Sequence, residues 1–133
     1  MVTRRRANRW LLLLGMLAGM LAGAFSFART AEAHAIIVSS KPAANSTLPQ
    51  GAVDIQLQFN SRIQIALSRL SLVDPQGKVA AVPIAAGPSV GSIVAQAKTD
   101  AVGRWTLRWQ VLSVDGHITR GEIPFLVVAK TAP

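Results

Sequence analysis

Arg104-Trp105-Thr106-Leu107-Arg108-Trp109-Gln110-Val111 alternates strictly between apolar and polar side chains. In an extended backbone Trp105, Leu107, Trp109 and Val111 fall on one side, and Thr106, Arg108 and Gln110 on the other. That is the period of a strand with one face in a core. A helix would scatter the same residues around its axis. The stretch predicts a strand at the centre of the core, and the chain on either side of it reads as its partners.

Upstream, Val53, Ile55, Leu57 and Phe59 alternate with Asp54, Gln56, Gln58 and Asn60, a second half-buried strand. Ile63, Ile65 and Leu67 continue that alternation after a break at Ser61-Arg62. Leu70 and Leu72 share one face of a further strand, which Asp74-Pro75-Gln76-Gly77 ends with favourable turn chemistry. From Val79 to Ala97 small residues and Pro83, Gly87, Pro88 and Gly91 predict two short edge strands with a loose connection. Nearer the start, Ile36 and Val38 alternate with Ile37 and Ser39 before the turn Lys41–Ser46. Downstream, the loop Asp115-Gly116-His117 leads into a last strand from about Ile118 to Val128, where Pro124 marks an edge or a bulge. About seven short strands without helical period predict an all-β antiparallel sandwich or small barrel.

Residues 1–33 have the three parts of a secretory signal. Arg4, Arg5, Arg6 and Arg9 form a basic head, Trp10 to Ala28 is apolar but for Ser26, and Ala31-Glu32-Ala33 offers small residues for a peptidase. The general secretory route fits better than twin-arginine export, because Ala7 and Asn8 suit the latter poorly. Cleavage after Ala33 makes His34 the first residue of a domain spanning 34–133. An uncleaved anchor is the competing reading, since the run approaches the roughly 20 residues that span a bilayer. A cut after Ala35 would instead discard His34.

The whole chain of 133 residues carries a formal charge of +8. Five of its 14 basic residues and one of its six acids precede His34, which leaves nine against five, a mild +4. With export and without interleaved aromatic and basic residues, nucleic acid is an unsuitable partner. There is no cysteine, and Met1, Met16 and Met20 all lie in the signal. Any metal site in the domain must therefore use nitrogen and oxygen, which excludes the soft ligands that Cu(I) prefers.

The domain has two histidines, His34 and His117. At a free amino terminus His34 offers its α-amine and its ring Nδ1 to the same ion, closing a chelate ring through its own Cα and Cβ. His117 adds an imidazole and Asp115 a carboxylate, with Gly116 between them free to adopt backbone angles that other residues avoid. Nitrogen and oxygen donors of this kind suit tetragonal Cu(II). Binding must displace the proton of an amine whose ordinary pKa is near 8. Each part also has a bland reading: Asp-Gly is an ordinary hairpin signal, and His34 could simply begin a frayed end.

The domain resembles the CopC family of bacterial copper-resistance and copper-trafficking proteins. The resemblance is carried by His34-Ala35, Ser39-Ser40-Lys41-Pro42-Ala43, Ile55-Gln56-Leu57-Gln58-Phe59, and Arg104 through Trp109 onward to Val111, Ser113 and Asp115-Gly116-His117. Gly121 and Pro124-Phe125-Leu126-Val127-Val128 complete it. It implies a Greek-key β-sandwich or barrel of cupredoxin-like or immunoglobulin-like type. It also implies a periplasmic Cu(II) site formed by His34, Asp115 and His117, and delivery of copper to a CopD-type inner-membrane importer on a separate polypeptide. Two departures are visible. Asn60-Ser61-Arg62 stands where many members carry an acidic residue near the copper, and the methionine-rich Cu(I) site of some members is missing.

Three functions are open at this level. The first is a non-enzymatic Cu(II) carrier or sequestering protein in copper homeostasis. The second is a metal-free structural or adhesion sandwich in which both histidines are incidental. The third is a histidine-brace copper monooxygenase, against which stand the small size, the absence of tyrosine and a ligating Asp115 in the space oxygen would need. Oligomeric state is not encoded in any motif.

Overall fold

The structure, a computed structural model, describes residues 34–132; the expected signal, its cleavage site and the possible anchor lie outside the described residues. Nine strands follow in order: β1 Ile37–Lys41, β2 Thr47–Pro49, β3 Gly51–Phe59, β4 Arg69–Val73, β5 Val79–Val82, β6 Ile84–Ala86, β7 Ser92–Thr99, β8 Gly103–Leu112 and β9 Ile118–Val128. They form a four-stranded sheet, β1-β3-β7-β6, and a five-stranded sheet, β2-β9-β8-β4-β5. Hairpins join β4 to β5, β6 to β7 and β8 to β9, while the other connections pass from one sheet to the other, as a Greek-key sandwich requires. The count exceeds seven because β2 and β6, three residues each, are too short to show a period.

The two strands read first occupy the places the alternation demands. In β3 Val53, Ile55, Leu57 and Phe59 are buried, and in β8 Trp105, Leu107 and Val111. They meet Leu70 and Leu72 of β4, Ile93 of β7 and Ile123, Phe125 and Val127 of β9 in one core between the sheets. Each such side chain contributes about 1.5–3 kcal/mol on burial. Trp109 lies on the same inward side, half-buried and edge-on to Phe59 with ring centroids 5.2 Å apart. Its indole covers Gly121, its cross-strand partner, where a Cβ would stand 2.4 Å from the ring.

Three expectations change. The apolar alternation of Ile63, Ile65 and Leu67 is not a strand: Ile63 makes a single bridge to Ser113, and Ile65–Leu67 is a 3₁₀ turn. This is where the chain crosses between sheets, and Leu67 is left 58% exposed. The segment Val79–Ala97 holds three strands rather than two. β5 and β6 are edges, but β7 runs on to Thr99 between β3 and β6. Small residues such as Ala95 and Ala97 blurred its alternation. Finally, β9 is interior to its sheet. β2 pairs with it in parallel only over Leu126–Val128, so Pro124 precedes that contact, and the Pro124 carbonyl accepts the N–H of Asn45 (2.7 Å).

Candidate metal centre

Both histidines lie at one end of the sandwich. The connection Ser113–His117 between β8 and β9 is ordered mainly by itself. Ser113 N–H donates to the His117 carbonyl (3.0 Å) and Gly116 N–H to the Ser113 carbonyl (2.9 Å). Gly116 has φ +90°, a backbone state that L side chains rarely adopt. The buried Ser113 hydroxyl lies within hydrogen-bonding reach of Asp115 Oδ1 and of the His117 carbonyl, and His117 N–H donates to the same Oδ1 (3.2 Å).

These bonds give the two carboxylate oxygens different work. Oδ1 accepts the loop's own donors, and Oδ2 faces His117 Nδ1 at 3.2 Å. The Ser113 hydroxyl foremost, then the His117 N–H, lower the Asp115 pKa to about 2, the His117 imidazole adding a little in the same direction. Asp115 is thus a carboxylate at any ordinary pH, with one oxygen turned towards a histidine.

The amino-terminal arm is held differently. Ala35 is fully buried in the core. Ile36 is clamped on both sides of its backbone: its N–H donates to Asn60 Oδ1 (2.8 Å), and its carbonyl accepts the Asn60 N–H (3.0 Å). This extends the β1–β3 ladder beyond its last register pair, Ile37 with Phe59. His34 follows directly, and its ring lies 5.4 Å from that of His117, centroid to centroid, at 85°.

One short segment serves both parts. Asn60 holds the arm, the Arg62 carbonyl accepts Val114 N–H (3.1 Å), and Ile63 bridges to Ser113. The structure therefore brings His34 to His117 and His117 to Asp115. Among the described residues no three His, Asp or Glu side chains converge as a metal cluster. Sequence reasoning missed two roles. Ser113 orders Asp115, as the Ser-x-Asp-x-His spacing could have suggested. Asn60 was noticed for the acid it is not, rather than for the backbone it holds.

The CopC domain family matches residues 37–128, a span that includes Asp115 and His117 and begins three residues after His34. Copper resistance protein C of Xanthomonas campestris pv. juglandis is 35% identical over 122 residues, covering 84% of this chain and 90% of its own. Protein YobA of Escherichia coli (strain K12) is 30% identical over 98 residues, 71% of this chain and 79% of its own. The crystal structure of CopC from Methylosinus trichosporium OB3b is similar with a TM-score of 0.68 at 26% identity, over 75% of this chain and 99% of that one. PcoC, a methionine rich copper resistance protein from Escherichia coli, gives 0.57 at 24% identity, over 72% and 100%, a likeness of fold.

Proposed function

Because the chain belongs to the CopC domain family, we propose that it is an exported periplasmic protein that binds Cu(II) as cargo through His34, Asp115 and His117, without a reaction of its own. The carrying observation is the meeting of the domain's two histidines, 83 positions apart in sequence, ring against ring at one end of the sandwich. A fold with incidental histidines has no need of that encounter. The name of the Xanthomonas relative, copper resistance protein C, supports a role in copper resistance or homeostasis. Delivery to a CopD-type inner-membrane protein is the transport step we assign to it.

The residues fit the ion. Bonds of first-row divalent metals to nitrogen and oxygen are about 2.0–2.2 Å, so two donors on adjacent corners of a square stand about 3 Å apart. His117 Nδ1 and Asp115 Oδ2, at 3.2 Å, are already at that separation. Two imidazoles on one ion have centres roughly 4.5 Å apart on adjacent corners and roughly 6 Å on opposite ones, and 5.4 Å lies between. The amine of His34 joins once the bond from Ala33 is cut; until then that nitrogen is an amide. Nitrogen and oxygen donors without sulfur favour Cu(II) over Cu(I).

The test is a Cu(II) titration with EPR of protein beginning at His34, beside protein with one extra residue before it. One tight equivalent for the first and a much weaker one for the second is expected. Equal, weak binding by both would remove the amine and leave a metal-free sandwich as the better account. Affinity should also fall below about pH 6, as protons compete for imidazole and amine.

A further inference from the structure

The outward faces of the two sheets differ in charge, and folding alone does not require the difference. On the five-stranded sheet the register aligns Arg69, Gln110 and Arg120 across β4, β8 and β9, and beside them Ser71, Arg108 and Glu122. These three arginines and one acid are a net +2, and exposed Arg104, further along the same side of β8, brings the face to +3. On the four-stranded sheet the corresponding outward pairs are Asp54 with Gln96, Ala52 with Lys98 and Gln56 with Lys41, one acid against two lysines, a net +1. An amide-rich face satisfies solvent equally well, so the arginines answer to something else.

Arg69, Arg108 and Arg120 surround a cavity of about 450 Å³, open between the rows. Arg108 donates its Nε–H to Glu122 (2.7 Å) and Arg120 its Nε–H to Gln110 (2.8 Å). Both bonds steady the side chain through Nε and do not use the Nη fork, which matches a carboxylate in a two-pronged bond. Arg69, Arg108 and Arg120 are all exposed. Glu122 shows that a carboxylate already sits well in this row. Arg120 is three residues along β9 from His117, about 10 Å at the rise of a strand.

We propose that this face is a docking surface for an acidic segment of a partner protein, seated so that the Ser113–His117 loop lies beside it. Only the identity of that partner as a giver or receiver of copper rests on the carrier reading; the docking itself does not. Complementary charge of this kind chiefly speeds encounter and fixes orientation.

The test uses protein beginning at His34, whose described residues carry both sheets and their own core. A labelled twelve-residue peptide of Asp, Glu and Ser is titrated by anisotropy at low salt, beside its Asn, Gln and Ser counterpart. Binding of the acidic peptide alone is expected, weakened at least tenfold by R69Q/R120Q. It should be nearly unchanged by K41Q/K98Q, which removes the same charge elsewhere, and both variants should keep wild-type Cu(II) affinity. Equal loss in both variants would reduce the effect to net charge and overturn the proposal. So would binding to phosphatidylglycerol vesicles that depends on Arg69 and Arg120 while the peptide does not bind, because the occupant would then be a membrane. Failure of the copper titration with peptide binding intact would sink the carrier reading and leave this surface standing.

Discussion

The loop Ser113–His117 and the arm His34–Ile36 each present a histidine, and they are held in opposite ways. The loop is held mainly by bonds spanning two to four residues, through Ser113, Asp115 and Gly116. The arm is tied down from far along the chain. Its backbone is held by Asn60, 24 residues away from Ile36, and by the burial of Ala35. One half of the candidate site is therefore set as soon as its own turn closes, whereas the other waits for the sandwich. Perturbations should separate the two.

The largest effect is expected from His117→Ala. It removes a proposed donor and should lower Cu(II) affinity by more than about 100-fold, beyond the 10–100-fold typical of residues one step behind a ligand. Unchanged copper retention in a competition assay would make the histidine incidental. Next comes Asn60→Ala, which takes away the acceptor of Ile36 N–H. Affinity should fall about tenfold with a stability loss of about 1 kcal/mol, and Asn60→Asp, which keeps an acceptor, should recover most of it. If affinity survives Asn60→Ala, the arm is not what positions His34.

Gly116→Ala probes the loop instead. Nothing lies within 4 Å of the added Cβ, so its cost comes from φ +90° alone, about 1–2 kcal/mol. Copper affinity should drop only several-fold, with chemical-shift changes confined to residues 113–118. Changes reaching Ile36 would show the two halves to be less independent than their bonding suggests.

The smallest effect is that of Ser113→Ala. Without the hydroxyl that contributes most to its low value, the Asp115 pKa should climb from about 2 towards 3.8 in a carboxyl-detected NMR titration. The sign follows from the depressed value. Asp115 favours the fold above the ordinary carboxylate pKa, and that contribution is lost as pH falls towards 2. In the wild type, then, Asp115 stays ionised throughout any ordinary copper titration, and the variant narrows that margin.

The same contrast governs what could be read from the sequence. β3 and β8 were legible because one face of each is buried and the other wet, and period two records that. Asp115 and His117 were legible because their relation is local. Ile63–Leu67 misled because alternation persisted where the backbone turned between sheets. β7 was obscured because Val94, Ala95 and Ala97 give neither face a clear excess of bulk. Asn60 was invisible as a clamp because its partner is chosen by the pairing of β1 with β3, which no nearby residue announces.

The interior place of β9 has a consequence for timing. It leaves the ribosome after the other eight strands, yet it supplies Ile123, Phe125 and Val127 and pairs with both β8 and β2. The five-stranded sheet cannot close before it arrives. For the exported protein proposed here, the arm that carries His34 to His117 is seated only once the sandwich has closed, and the amine of His34 is made only when the signal is cut. Both events fall on the far side of the membrane, so the nascent chain has no complete site with which to take copper from the compartment in which it is made.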